Sequence, residues 1–341
     1  MEPAQKKFSA KTFFNIFAVL LSAGLLLYFC FSKDGLLTLG QHIGQIHVGW
    51  LILGFLCMLS DLFLDMVLTY FFTKPISASY TMGRAFKVCM VGHLYSAITP
   101  FQSGGQPMQI YVMSKQEIDP GAATSALVQK FFVYQTGITL YSLAAILYQT
   151  HFAHTPLNAG MWGLAIAGFI VQGSVAALLL LVSFNQKVTS KLLSGATKLL
   201  ARIHVVKDYE KTVESWRVQL DFFHQSNQFL YKHKGLLIKA YALTFLQLTS
   251  LFAVSFCVYR AFHFTGATAA SMIFSQAFVT MVSSLVPLPG AAGASEASFY
   301  VFFSSYFSPA TLKSAILLWR IITYYAVILI CAPFSRMKDK M

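Results

Sequence analysis

Apolar positions in this chain form long unbroken blocks separated by short polar stretches. Six blocks are long enough to cross a bilayer: 13–31, 48–72, 121–149, 161–183, 236–259 and 312–333. A helical span needs ~20 predominantly apolar residues. The blocks are continuous and do not alternate at period two, which predicts helices and not barrel strands. The expected fold is all-α: a polytopic helical membrane protein, with residues 1–341 forming a single membrane domain.

Two further apolar regions are broken. Region 86–115 is interrupted by Thr99-Pro100-Phe101-Gln102-Ser103-Gly104-Gly105-Gln106-Pro107, and region 269–308 by Pro287-Leu288-Pro289-Gly290-Ala291-Ala292-Gly293. Proline lacks the backbone donor and glycine is a poor helix residue, so helices should stop there. The arms of the first region are shorter than a full span. Both regions are predicted to be re-entrant helical hairpins, in addition to about six full spans.

Basic residues orient the layout, because cytoplasmic loops carry the excess of Lys and Arg. With the N-terminus inside, 19 of the 25 basic residues are cytoplasmic, nine of them in segment 184–235. Both termini are then expected on the cytoplasmic side of a cell membrane. The two hairpins enter from opposite faces, as an inverted-topology repeat would arrange them, and transport sites form at such broken helices. In sequence the two regions share only a Pro, a Gly-rich break and a following polar residue.

Segment 184–235 is the one sizeable polar region. From Lys187 to Ile203 it reads as an amphipathic helix, with Leu192, Ala196, Leu199 and Ile203 on one face and Lys187, Lys191, Lys198 and Arg202 opposite. That pattern suits a helix lying on an anionic lipid surface. A second helix is expected over 208–231. The alternative is a solvated linker. No nucleic-acid partner is expected.

Composition strengthens the membrane reading: 56% of residues are hydrophobic and 11% charged, against roughly 25% charged in soluble domains. Lys6, Lys7 and Lys11 precede the first block, which is long and lacks a small-residue cleavage site, so it is expected to stay as a helix. The five cysteines, Cys30, Cys57, Cys89, Cys257 and Cys331, lie in apolar segments with no CxxC and read as small buried hydrophobes. No P-loop, HExxH or GxSxG motif is present, and neither a catalytic residue, a metal nor a cofactor is predicted. His151 and His154 read as surface histidines.

The informative chemistry is charge at membrane depth, which costs roughly 2.5–3.5 kcal/mol per group on insertion scales and is usually paired or set in a polar cavity. Three acidic residues fall in apolar segments: Asp61 and Asp65, one helical turn apart, and Glu296, just after the second break. Their expected counter-ions are Lys130 and Arg320. Such groups either hold helices together as buried pairs or line a cavity for a charged lipid head group. Gln102, Gln106, Gln109 and Gln129 would add hydrogen-bonding capacity to a cavity, as would Tyr95, Tyr134, Tyr324 and Tyr325. Interrupted helices offer backbone N–H groups to anions, and small residues at Gly104, Gly105, Gly290 and Gly293 would admit a phosphate.

The stretch Ile98-Thr99-Pro100 … Gly104-Gly105-Gln106-Pro107, followed by Tyr111 and Lys130, resembles the first signature of the lysylphosphatidylglycerol synthase transmembrane, or flippase-like, family. Pro287-Leu288-Pro289-Gly290-Ala291-Ala292-Gly293-Ala294-Ser295-Glu296 is similar to the second, Pro-x-Pro-Gly-Gly-x-Gly-x-x-Glu. The family often has Glu and Arg where this chain has Gln106 and Gln109, Arg where it has Lys130, and Gly where it has Ala291. Full-length lysylphosphatidylglycerol synthases add a soluble aminoacyl-transferase domain. This chain ends at Met341, so the resemblance implies the lipid-translocating half alone.

Three functions are expected to compete. The first is a lipid translocase that moves a polar or charged phospholipid, such as an aminoacylated phosphatidylglycerol, or a lipid-linked sugar. Its head-group site would comprise Gln102, Gly104, Gly105, Gln106, Gln109, Lys130, Pro289, Gly290, Gly293, Glu296 and Arg320. The second is a membrane-embedded lipid-modifying enzyme, such as a phosphatidylglycerol lysyltransferase, with Asp61, Asp65 or Glu296 as base. The third is an accessory lipid-binding subunit that engages a separate synthase through 184–235.

Overall fold

The computed structural model describes residues 46–153, 156–184 and 234–335. The block 13–31, residues 185–233, both termini, Cys30 and His154 lie outside them, and with them the expected first helix and amphipathic segment. All regular structure among the described residues is helical.

Four unbroken helices match the expected spans: α1 (Val48–Thr73), α4 (Pro120–His151), α5 (Ala159–Phe184) and α6 (Lys234–Ala261). At 26 to 32 residues each is about 39–48 Å long, enough to cross a hydrocarbon core of ~30 Å. Between them lie the shorter helices α2 (Met82–Ile98), α3 (Gly105–Lys115), α7 (Ala269–Ser283) and α8 (Ala294–Phe303). The last span runs from α9 (Pro309–Arg320) through a π turn (Ile321–Tyr325) into α10 (Ala326–Cys331). Polar caps start several of these helices. Asp119 accepts from the N–H of Ala122 at 3.0 Å ahead of Pro120, and Thr268 from that of Ser271 at 3.1 Å. Each satisfies an otherwise orphaned donor of the first turn.

Lipid-facing character follows from the residues left outside. Ile52, Leu56 and Phe63 on α1, Leu140 and Leu147 on α4, and Ile170 and Leu181 on α5 are large, apolar and exposed. On a soluble protein such a surface would be an aggregation hazard; in acyl chains it has no cost. Together with five helices long and apolar enough to cross, it makes this a multi-pass membrane protein.

α1 and α6 form an antiparallel central pair. His47 N–H donates to the carbonyl of Ala261 at 3.0 Å, so the start of α1 meets the end of α6. The first hairpin, α2 and α3, springs from the Thr73 end of this pair. It is closed at its base by reciprocal bonds: Arg84 Nη1 to the carbonyl of Gln116 at 3.5 Å and Gln116 Nε2 to the carbonyl of Arg84 at 3.3 Å. The second hairpin, α7 and α8, springs from the Ala261 end. The hairpins therefore enter from opposite ends, as the sequence predicted. Their arms of 17, 11, 15 and 10 residues span about 26, 17, 23 and 15 Å, too short to cross. Their tips, Pro100–Gln102 and Pro289–Ala291, pack against each other within the bundle.

The two tips share one backbone path. Thr99 (φ −119°, ψ 148°) precedes Pro100, and Leu288 (φ −110°, ψ 149°) precedes Pro289. Two left-handed residues follow in each: Phe101 and Gln102 (φ 51° and 57°), Gly290 and Ala291 (φ 59° and 49°). From there the register runs on without a gap although the backbones part, Ser103 having ψ −19° against 139° at Ala292 and Gly104 φ −79° against 81° at Gly293. Gly104 and Gly293 are the N-cap residues of α3 and α8, and Pro120 and Pro309 are the first residues of α4 and α9. In the same register Tyr111 falls on Tyr300, both facing outward at 44% and 43% exposure, and Ile118 falls on Phe307, both buried. Two hairpins aligned in one register and entering from opposite ends have the arrangement expected of an inverted repeat.

Candidate functional site

The second hairpin is held at its tip by one buried carboxylate. Glu296 lies in the first turn of α8, where a negative side chain complements the helix N-terminus. Its Oε2 accepts the Gly293 N–H at 2.7 Å and its Oε1 accepts Arg320 Nε at 2.6 Å. Arg320 Nη2 also donates to the carbonyl of Gly290 at 2.8 Å. Both side chains are nearly sealed, with Glu296 3% and Arg320 5% exposed. The guanidinium lies over the rings of Trp319 and Tyr324, 5.3 and 5.0 Å from their centroids, so its charge is neutralised on one side and faced by π electrons on the other.

The π turn directly after Arg320 brings in the first hairpin. Such an extra residue in a helical turn commonly marks a functional position. Here it places Tyr324 so that the ring packs on Gly290 and the hydroxyl donates to the carbonyl of Ala97 at 3.0 Å. Ala97 lies in the last turn of the α2 arm. One turn of the last span thus holds both hairpin tips.

A second ionic cluster sits between α1, α2 and α4. Lys130 Nζ lies 2.6 Å from Asp65 Oδ1 and donates to Thr69 Oγ1 at 2.8 Å. On the other carboxylate oxygen, His93 Nε2 is 3.3 Å and Cys89 Sγ 3.1 Å away. Asp61, one turn before Asp65, is also buried. Among the described residues two ion pairs join permanently charged groups, Lys130 with Asp65 and Arg320 with Glu296; His93 makes a third with Asp65 when it is protonated, and Asp61 is in none of them.

The acidic residues and counter-ions predicted from sequence are thus joined as Asp65 with Lys130 and Glu296 with Arg320. The glutamines divide. Gln109 and Gln129 are buried, Gln109 packing onto Gly92 across the first hairpin, while Gln102 and Gln106 are exposed at its tip. The glycines divide as well. The space beside Gly104, Gly105 and Gly290 is taken by Thr99, Ser96 and Tyr324, whereas nothing lies within 4 Å of a Cβ placed on Gly293. Pro289 is buried at the tip contact.

Cys57, Cys89, Cys257 and Cys331 are free thiols, Cys57 half-buried and the other three buried. Cys89 does more than fill space, since it hydrogen-bonds into the Asp65 cluster. Sequence reasoning misses His93 and Thr69. His93 carries a signal, an ionisable ring inside an apolar arm, which counting histidine as neutral obscures. Among the described residues no group of three or more His, Cys, Asp or Glu is placed to hold a metal ion.

The profile of the family described as "Lysylphosphatidylglycerol synthase TM region" matches residues 15–331. The chain belongs to that family. No curated protein matches it in sequence. The matched span contains both hairpins, the central pair and every residue of the two ionic clusters. For this member of the lysylphosphatidylglycerol synthase transmembrane family, the membership places the chain with membrane proteins related to lipid biosynthesis and modification.

Proposed function

We propose that the protein is a lipid translocase, moving a phospholipid with a polar or charged head group between leaflets. The observation that supports this reading most is the meeting of two half-crossing hairpins, tip to tip, beside buried opposite charges. A tip reached from both sides offers a head group a polar stop halfway through the slab, while its acyl chains stay in lipid. In this state Glu296 is paired with Arg320 and Asp65 with Lys130. An arriving phosphate would exchange with the Glu296 carboxylate for Arg320, or with Asp65 for Lys130, and the displaced carboxylate would be met by a cationic group of the head group.

In this proposal the protein resides in the cell membrane with both termini cytoplasmic, and segment 184–235 rests on the anionic leaflet. The test is leaflet exchange of labelled phosphatidylglycerol and aminoacylated phosphatidylglycerol in proteoliposomes of purified protein, with mass spectrometry of the recovered lipid. Exchange of unchanged lipid supports the proposal. A chemically altered lipid, or exchange no faster than in empty liposomes, would overturn it.

A further inference from the structure

We propose that the cluster of Asp61, Asp65, His93 and Lys130 is a proton-binding site coupled to head-group passage. The proposal rests on the translocase reading and addresses what drives it.

The first reason is the charge count. Asp61 and Asp65 are each 7% exposed and one turn apart near the middle of α1. Against these two carboxylates stands one permanent cation, Lys130. With His93 neutral the cluster carries one uncompensated negative charge inside the slab, where an unpaired charge is most costly. One added proton removes it: a neutral imidazole becomes an imidazolium, or one carboxylate becomes a carboxylic acid, and the cluster is balanced. Like-charged carboxylates that share a site favour taking up such a proton.

The second reason is geometry. His93 Nε2 already lies 3.3 Å from Asp65 Oδ2 and is buried there, while the side chain as a whole is 26% exposed, so the ring joins the buried carboxylate to a less enclosed edge. His93 belongs to α2, an arm of the hairpin that would have to shift, while Asp61, Asp65 and Lys130 belong to full spans. The proton therefore sits at the joint between the hairpin and its scaffold. The charged groups acting on His93 are Asp65 and Asp61 from α1 and Lys130 from α4. α3 packs on the other side of α2 with the neutral Gln109 against Gly92. α10 brings the Cys331 thiol, which is engaged with Met90 Sδ at 3.7 Å. With the proton present, His93 and Asp65 attract and the arm is held; without it, the hold weakens.

The experiment uses full-length protein in proteoliposomes, with labelled lipid, a lumenal pH dye and imposed gradients at fixed sodium. A gradient of one pH unit can bias a distribution coupled to one proton about tenfold. The expected result is a wild-type leaflet distribution that follows the gradient, with proton movement recorded by the dye. In Asp61→Asn and His93→Gln the rates measured with and without the gradient should become equal. Wild-type exchange indifferent to pH, a response that tracks sodium instead, or a response retained in both variants would overturn the proposal. If no lipid moves under any gradient, the translocase reading fails and the site is judged alone by infrared difference spectroscopy of the purified protein. A carboxylic-acid or imidazolium band that appears on acidification and is missing from the Asp61→Asn/His93→Gln double variant supports it; the absence of any such band in the wild type overturns it.

Discussion

Arg320 reaches Glu296 through Nε at 2.6 Å while its Nη2 holds the carbonyl of Gly290 at 2.8 Å, so one guanidinium fixes both the start of α8 and the tip before it. Removing one partner of a buried pair leaves an uncompensated charge, worth about 3–5 kcal/mol of destabilisation. Replacing both by apolar residues of similar volume is often neutral. Glu296→Gln keeps an acceptor for the Gly293 N–H but strands Arg320, and should lower both stability and lipid exchange. Glu296→Leu/Arg320→Met should recover most of the stability and none of the exchange. Thermal unfolding and leaflet exchange measured on the same preparations check this. Recovered exchange in the double variant would mean that the pair only holds helices together.

Lys130 gives the same test in the other cluster. Lys130→Met leaves Asp65 facing His93, Cys89 and a second carboxylate one turn away, and is expected to destabilise by several kcal/mol. Adding Asp65→Leu should return most of that loss. If translocation needs the lysine charge, exchange stays low in both variants. Wild-type exchange in either would rule Lys130 out of the head-group site.

Gly290 and Phe101 occupy the same position in the two tips, and both are left-handed. Phe101 shows that a side chain is tolerated where it stands clear, at 62% exposure. At Gly290 an added Cβ would run into the ring of Tyr324. Gly290→Ala should therefore cost more than the roughly 1–2 kcal/mol of left-handed backbone alone, and Gly290→Ala/Tyr324→Leu should recover the difference. Thermal shift assays would show it; a Gly290→Ala variant as stable as wild type would contradict the packing described.

Orientation can be read by labelling. In a variant lacking the five native cysteines, His151→Cys at the exposed end of α4 should label from outside, and Lys74→Cys just beyond α1 from the cytoplasm. The reverse pattern would invert the assignment made from the basic residues.

For the polar segment, neutralising Lys187, Lys191, Lys198 and Arg202 together should weaken binding of a 184–235 peptide to anionic liposomes. Each basic residue near the surface contributes about 1 kcal/mol. Equal binding of the unaltered peptide to neutral and anionic liposomes would count against a surface role.

The spans are legible in the sequence because a bilayer asks for length and apolarity, which are local properties of the chain. The hairpins are legible because Pro100, Pro289 and the glycines beside them leave no helical alternative. The ion pairs follow from cost, since Asp65 and Glu296 need partners and few cations lie at their depth. The π turn is hidden: Ile321–Tyr325 contains neither Pro nor Gly, and the contacts that Tyr324 makes from it, with Gly290 and Ala97, are distant in sequence. Gly104 and Gly105 look like room for a ligand, yet Thr99 and Ser96 fill that room, because close approach of two hairpin arms calls for the same small residues. Membership of His93 in the Asp65 cluster depends on how α2 packs against α1, and no local pattern carries that information.

The matched hairpins also bear on how the chain finds its way into the membrane. Two units whose apolar pattern and breaks are alike, though they face opposite ways, do not set their own direction of insertion by those features. Direction has to come from outside the unit, from basic residues such as Lys74 and Lys115 flanking the first hairpin and their absence from the segment before Pro309. The placement of a few lysines on either side of the bilayer therefore decides which way each unit faces.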